Sequence, residues 1–191
     1  KEWENKNTLA AERSVINYSF YIGATDNNIE ELRRANPAMV PAFKLFLGAS
    51  TGNMLVSDSD ALEAIFKPGK IPVACHCEDE KIIRANSAAY REEYGDSISP
   101  SYHPLIRSRE ACLSSSTAAV SLARRTGAKL HLLHLSTAEE TELLTAGDDP
   151  ASKQIIGEAC VHHLWFDDRA YAEKGNLVKW NPPIRSQSDR E

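Results

Sequence analysis

The sequence predicts an α/β fold of the (β/α) barrel kind, and three observations carry that prediction. Strand-like and helix-like segments alternate with short turns along all 191 residues, giving about five βα units. No composition shift or low-complexity linker divides the chain. No glycine-rich phosphate loop follows the first strand, although a doubly wound nucleotide fold would call for one there. A barrel keeps its chemistry at the C-terminal ends of its strands, so functional side chains should recur there, one per unit.

The elements follow in order. A helical pattern over Thr8 to Val15 precedes an apolar and aromatic strand, Tyr18 to Ala24. A helix over Ile29 to Arg34 is broken by Asn36 and Pro37, and the buried-strand run AFKLFLG follows from Ala42. Ser57 and Asp58 are candidate N-caps for a helix through Phe66, which Pro68 and Gly69 end before the strand Ile71 to Cys75. Next come a helix from Asp79 to Tyr94, a Ser/Pro/Tyr-rich loop from Gly95 to Arg107, and a helix from Glu110 to Arg125 stopped by Gly127. The strand Leu130 to Leu135 runs into Ser136-Thr137-Ala138-Glu139, a capping box opening a helix through about Leu144. After a turn at Gly147 to Pro150 come a strand from Gln154 to Val161, a helix from Asp167 to Lys174 closed by Gly175, and an extended piece, Leu177 to Trp180, entering Asn181-Pro182-Pro183. The last residues, SQSDRE, read as the polar start of a further helix.

Composition bounds the function. A hydrophobic share of 42% with 26% charged residues is that of a globular protein able to bury a core. The net charge of -5, without a basic block or stripe, argues against nucleic acid and anionic membrane surfaces as partners. No apolar run approaches membrane-spanning length, and the start has no signal-peptide core. Four cysteines are too few for a disulfide scaffold, so a reduced, cytoplasmic chain is expected. The absent initiator methionine and the helix-like ending lead us to expect a segment of a longer protein.

Lys44 is the residue that most needs a reason. It sits among Phe43, Leu45, Phe46 and Leu47, where an unpartnered ammonium would cost several kcal/mol, roughly. It must snorkel to the strand end, pair with a carboxylate, or be held neutral and take up carbon dioxide as a carbamate able to bridge two metal ions. His76 ends the next strand and His134 the one after, while Glu158 lies in a fourth strand and Asn181 follows the last extended piece. Lys44 and His76 are close to one βα unit apart; His76 and His134 are separated by one unit enlarged by the additional helix and the loop. Cys75-His76-Cys77 is a poor zinc triplet, because an extended chain points the cysteines one way and the histidine the other. The cysteines are expected to pack against helices as small hydrophobes. An offset of three separates His131 from His134 on a strand, so His134 is taken for the site and His131 for a helix-facing or packing residue. His162 and His163 line a pocket or pack, and His103 sits in a loop without an identified partner.

The set FKLFLGASTGN, VACHCEDE, LHLLHLST, GEACVHHLWF and VKWNPPIRS resembles the dihydroorotases, in the amidohydrolase superfamily that also holds hydantoinases and allantoinases. The resemblance implies a (β/α)8 TIM-type barrel in which residues 1–191 are the central segment of one catalytic domain, roughly the third to seventh strands. It implies two zinc ions bridged by carbamylated Lys44, with His76 and His134 as ligands of one ion. Asn181 matches the family's pyrimidine-contacting asparagine, which suits an amide ring because its side chain donates and accepts. The implied reaction is the zinc-dependent interconversion of dihydroorotate and N-carbamoyl-L-aspartate in pyrimidine synthesis.

The family's His-x-His pair and the arginine after it are expected before Lys1, and its catalytic aspartate beyond Glu191. No catalytic residue is therefore expected within this chain, and the segment alone is expected to be inactive. Hydantoinase, dihydropyrimidinase or allantoinase chemistry is the nearest alternative, and the Asn-Pro-Pro sequence favours dihydroorotase. A metal-free homologue serving as an assembly partner is the alternative from another class; the joint presence of Lys44, His76 and His134 argues against it. A homo-oligomer is compatible with all of these readings.

Overall fold

The computed structural model describes residues 2–48, 54–56, 58–67, 69–147 and 149–191. Its frame is a five-stranded, all-parallel sheet in sequential order: β1 (Ile22–Gly23), β2 (Phe43–Phe46), β3 (Val73–His76), β4 (Leu130–Leu132) and β5 (Ile155–Gly157). Helices connect the strands: α1 (Glu2–Arg13) precedes β1, α2 (Ile29–Arg33) follows it, and α3 (Ser59–Ile65) follows β2. Between β3 and β4 lie α4 (Glu80–Tyr94), α5 (His103–Ile106) and α6 (Arg109–Thr126). The short α7 (Ala138–Thr141) leads to β5, and α8 (Val161–Trp165), α9 (Ala170–Lys174) and α10 (Gln187–Arg190) complete the chain. Parallel neighbours joined through helices make part of a (β/α) barrel, as the alternating pattern predicts.

Register fixes which side chains share a face. Phe43 pairs with Val73, Val73 with Leu130 and Leu130 with Ile155; two residues on, Leu45, Cys75, Leu132 and Gly157 form the next row. These apolar rows pack on the helices in one core with Ala61, Ile65 and Phe66 and with Ala119, Val120 and Ala123 of α6. Cys75 and Cys77 both lie in this core, which bears out the reading of them as small hydrophobes. The intervening row runs Lys44, Ala74, His131 and Ile156, and Phe46 pairs with His76. Because side chains alternate along a strand, these residues point away from the helix layer.

The helix signals act as expected, with shifts. Asp58 caps α3, its side chain accepting from Ala61 N at 2.8 Å, and Asp79 caps α4. Gly127 ends α6 in the left-handed region at φ 78°, where glycine escapes the Cβ penalty. The capping box lies one residue later than predicted: Thr137 is the N-cap and Glu140, almost fully buried, returns the bond, so α7 is a single turn. The predicted strands are longer than the observed ones, and Tyr18 to Tyr21 lie outside β1, which among the described residues pairs with β2 alone. Val161 starts a helix instead of ending a strand. The Ser/Pro/Tyr loop contains α5, and the expected extended piece at Leu177 is a 3₁₀ turn, Gly175–Val178. Readings placed on Ser57, Pro68, Asp148 and the stretch Ala49 to Asn53 lie outside the described residues.

Candidate active site

Two histidines 58 residues apart in sequence meet at the ends of β3 and β4: His76 Nδ1 lies 3.0 Å from His134 Nε2, with the rings edge-on at 74°. The contact depends on a break in the strand. β4 ends at Leu132, and His134 takes a φ of 41°, in the left-handed region that non-glycine residues enter at a cost of order 1–3 kcal/mol. The alternation argument therefore stops applying before His134. This corrects the assignment of His131: paired with Ala74 in the Lys44 row, it faces away from the helices, 3.4 Å from Glu158 Oε2.

His76 is oriented by a residue the sequence reading passed over. Glu78, fully buried, accepts from His76 Nε2 at 2.7 Å and from Arg107 Nε at 3.0 Å, and it also pairs with Arg107 Nη2. Burial alone would push the Glu78 carboxyl up; the bonds from His76 and Arg107 outweigh it and hold the group below its ordinary range. The anionic carboxylate keeps the proton on His76 Nε2 and leaves Nδ1 with its lone pair. Gly48, just past β2, allows the close approach, since a Cβ there would stand 1.9 Å from the Glu78 carbonyl oxygen.

Arg107 is held in its turn. The buried guanidinium of Arg185 donates to the Arg107 carbonyl at 2.7 Å, to the Pro104 carbonyl at 3.0 Å and to Cys112 Sγ at 3.2 Å. The segment after Pro182-Pro183 thus pins the loop that supplies Arg107. HCED at the strand end is the signal that could have found Glu78, whereas nothing local marks Arg107 or Arg185 as its supports.

Lys44 shares the face of the histidines. Its Nζ lies 4.3 Å from the centroid of the Phe46 ring, which in turn stacks at a tilt on His76. Burial lowers the Lys44 pKa from its ordinary value, partly offset by Cys75, Cys77 and Glu158. His134 is pushed down to about 3, first by burial and then by His76 and Lys44, so it is neutral at physiological pH. Glu158, just past β5, accepts from the His134 backbone N–H at 3.3 Å. The structure therefore gathers Lys44, His76, His131, His134 and Glu158 on one side of the sheet.

The donor set fits a metal. Two ligand nitrogens on one zinc ion at about 2.0–2.1 Å would lie about 3.3 Å apart in a tetrahedral shell, close to the 3.0 Å separation here. Glu78 supplies the carboxylate that ligating histidines commonly have on their second nitrogen. His134 Nδ1 is buried without a hydrogen-bond partner among the described residues. If Nε2 donates to His76 Nδ1, His134 Nδ1 is a stranded acceptor; with an ion between the rings, His76 Nδ1 and His134 Nε2 would both direct lone pairs at it and His134 Nδ1 would carry the proton.

Asn181 stands apart from this group. It is exposed, and the residue before it, Trp180, accepts from His103 Nε2 through its carbonyl at 2.7 Å. That corrects the reading of His103 as a residue without a partner. His163 is buried, its Nε2 donating to the Pro182 carbonyl at 3.0 Å, and His162 stacks on Trp180 at 4.7 Å.

No protein-family model matches the chain. It is 28% identical over 193 residues to a dihydroorotase of Methanosarcina mazei, covering 97% of this chain and 41% of that protein. It is 27% identical to an allantoinase of Bacillus velezensis over the same two shares. The structure superposes on the L-hydantoinase (dihydropyrimidinase) of Arthrobacter aurescens with a TM-score of 0.86 and 21% identity, covering 98% of this chain and 42% of the other, which speaks to the fold alone. The chain spans about two-fifths of the length of the curated relatives it matches. In sequence the chain resembles dihydroorotases and an allantoinase over nearly its whole length, and its parallel sheet and helices form part of a (β/α) barrel.

Proposed function

We propose that the protein is a zinc-dependent cyclic amidohydrolase, with dihydroorotate and N-carbamoyl-L-aspartate as its substrate pair. The observation that carries this reading is the 3.0 Å approach of His76 Nδ1 to His134 Nε2 on the Lys44 face, with the second nitrogen of His76 held by Glu78. His76 and His134 would hold one ion, and Lys44, as a carbamate, would bridge it to a second. Zinc bound there would polarise the ring carbonyl and lower the pKa of water, which is what amide hydrolysis needs.

The chain's own residues prepare that site. Burial lowers the cost of a neutral Lys44 amine, which adds to carbon dioxide and releases one proton as the carbamate forms. Glu78 keeps His76 Nδ1 free of its proton, and Arg107 keeps Glu78 anionic. Phe46 lies against His76, with ring centroids 5.6 Å apart. Asn181, presented by the stiff Pro182-Pro183 segment, would read the ring edge.

Allantoin is the competing ring, since an allantoinase matches this chain about as well as a dihydroorotase does. The test is ring opening by the zinc-loaded full-length protein with dihydroorotate and allantoin side by side. Turnover of dihydroorotate at a higher kcat/KM supports the proposal. Preference for allantoin overturns the substrate, and turnover of neither cyclic amide with zinc present overturns the function.

A further inference from the structure

We propose that Cys160, His162 and His163 form a second metal site, separate from His76 and His134, that takes a borderline-soft divalent cation of the zinc type. One ligand atom from each lies within 4.8 Å of the other two. Cys160 is the N-cap of α8, and His162 and His163 are its second and third residues, so the first turn of one helix carries all three. An N-cap side chain and the side chain three residues on meet over the helix start, as they do in a capping box. Here they offer sulfur and imidazole, a donor pair that suits zinc and its neighbours better than magnesium or calcium.

His163 is held as a ligand would be. His163 is 9% exposed, and its Nε2–H donates to the Pro182 carbonyl at 3.0 Å. A backbone carbonyl on the second nitrogen fixes the tautomer and orients the ring, the support commonly found behind metal-binding histidines. The other nitrogen, Nδ1, is buried with no hydrogen-bond partner among the described residues. A neutral imidazole pinned through Nε2–H has a lone pair on Nδ1, and a cation would satisfy it. The His162 ring is stacked on Trp180 at an interplanar angle of 15° and lies 4.4 Å from the His163 ring.

A tetrahedral zinc site with bonds of about 2.3 Å to sulfur and about 2.0–2.1 Å to nitrogen places its donors about 3.3–3.6 Å apart, so closure needs shifts of about 1 Å. Rotation of the partly exposed Cys160 and His162 side chains provides them. Binding exchanges the thiol proton for the metal: the S–H bond breaks, a sulfur–metal bond forms, and one proton leaves per ion. Glu158 Oε1, 3.7 Å from Cys160 Sγ, is placed to accept that proton.

The test uses Co2+ as the probe on the full-length protein stripped of metal with a chelator. Cobalt at this cluster produces near-ultraviolet thiolate-to-metal charge transfer, which the nitrogen and oxygen donors of Lys44, His76 and His134 cannot produce. The expected result is such a band in the wild type, its loss in Cys160→Ser, and at least tenfold weaker cobalt binding by this signal in His163→Gln. His162→Gln, at a partly exposed position, replaces the latter if that variant does not fold. Absence of the band at saturating cobalt, an undiminished band in Cys160→Ser, or unchanged affinity in the histidine variant overturns the proposal. None of these outcomes bears on the Lys44 site, whose cobalt absorption carries no thiolate component.

Discussion

Glu78→Gln separates the support of the site from the site itself. The wild-type carboxylate accepts from His76 and twice from Arg107, and it is fully buried while the Arg107 side chain is 11% exposed. Glutamine keeps the shape, offers one oxygen, and turns an NH2 toward a donor. The variant loses the charge of a buried pair and up to two charge-assisted bonds at about 1.5–3 kcal/mol each, so about 3–5 kcal/mol is at stake. At about 2–4 °C per kcal/mol for a chain of this size, the melting temperature should fall by about 6–20 °C. His76 can relieve part of the loss by moving its proton to Nδ1 and accepting from the new amide at Nε2. That relief points an N–H at His134 and removes the lone pair needed for a metal. Zinc affinity, measured by competition with a chromophoric chelator, should therefore drop about 10–100-fold. A melting temperature within about 2 °C of wild type together with zinc affinity within twofold would refute this account of Glu78.

Gly48→Ala puts a β-carbon 1.9 Å from the Glu78 carbonyl oxygen, so the backbone must move. Overpacking of that kind costs about 1–3 kcal/mol, and calorimetry should show a melting temperature lower by several degrees. Lys44→Ala should abolish zinc-dependent ring opening in the full-length protein, and a short carboxylic acid should restore part of it by standing in for the carbamate; a fully active variant would exclude the bridging role. His103, whose pKa burial depresses to about 4 against 6.5 for an ordinary histidine, gives a stability increment present in full above pH 6.5. The increment is lost as pH falls from 6.5 to 4, because the unfolded chain binds the proton first. The loss is ~2 kcal/mol after discounting for screening of the partly accessible ring. Denaturant titrations at pH 7 and pH 4.5 should show a smaller difference for His103→Gln than for wild type, and an equal difference would remove His103 as the cause.

The sequence by itself determined the fold class and the sheet order. Alternation of strand and helix patterns with short connections leaves few topologies, and apolar periodicity needs only local chain geometry. It also placed Lys44 within one strand and His76 and His134 at the ends of the next two, and period-two alternation correctly sent Cys75 and Cys77 to the helix side. Tertiary structure decided the features that depend on small departures from ideal geometry and on long loops. His134 reaches His76 because the chain leaves the extended conformation after Leu132, so the rule that separated His131 from His134 failed within two residues of the strand end. Glu78, Arg107 and Arg185 form one chain of support from segments distant in sequence, and no local pattern encodes such a meeting. Strand ends were overread for a related reason: hydrophobicity continues past the last ladder bond, but pairing stops where the neighbouring strand stops. His103 shows the same limit, since its loop sequence names no partner, while only the fold brings its Nε2 to the Trp180 carbonyl 77 residues away.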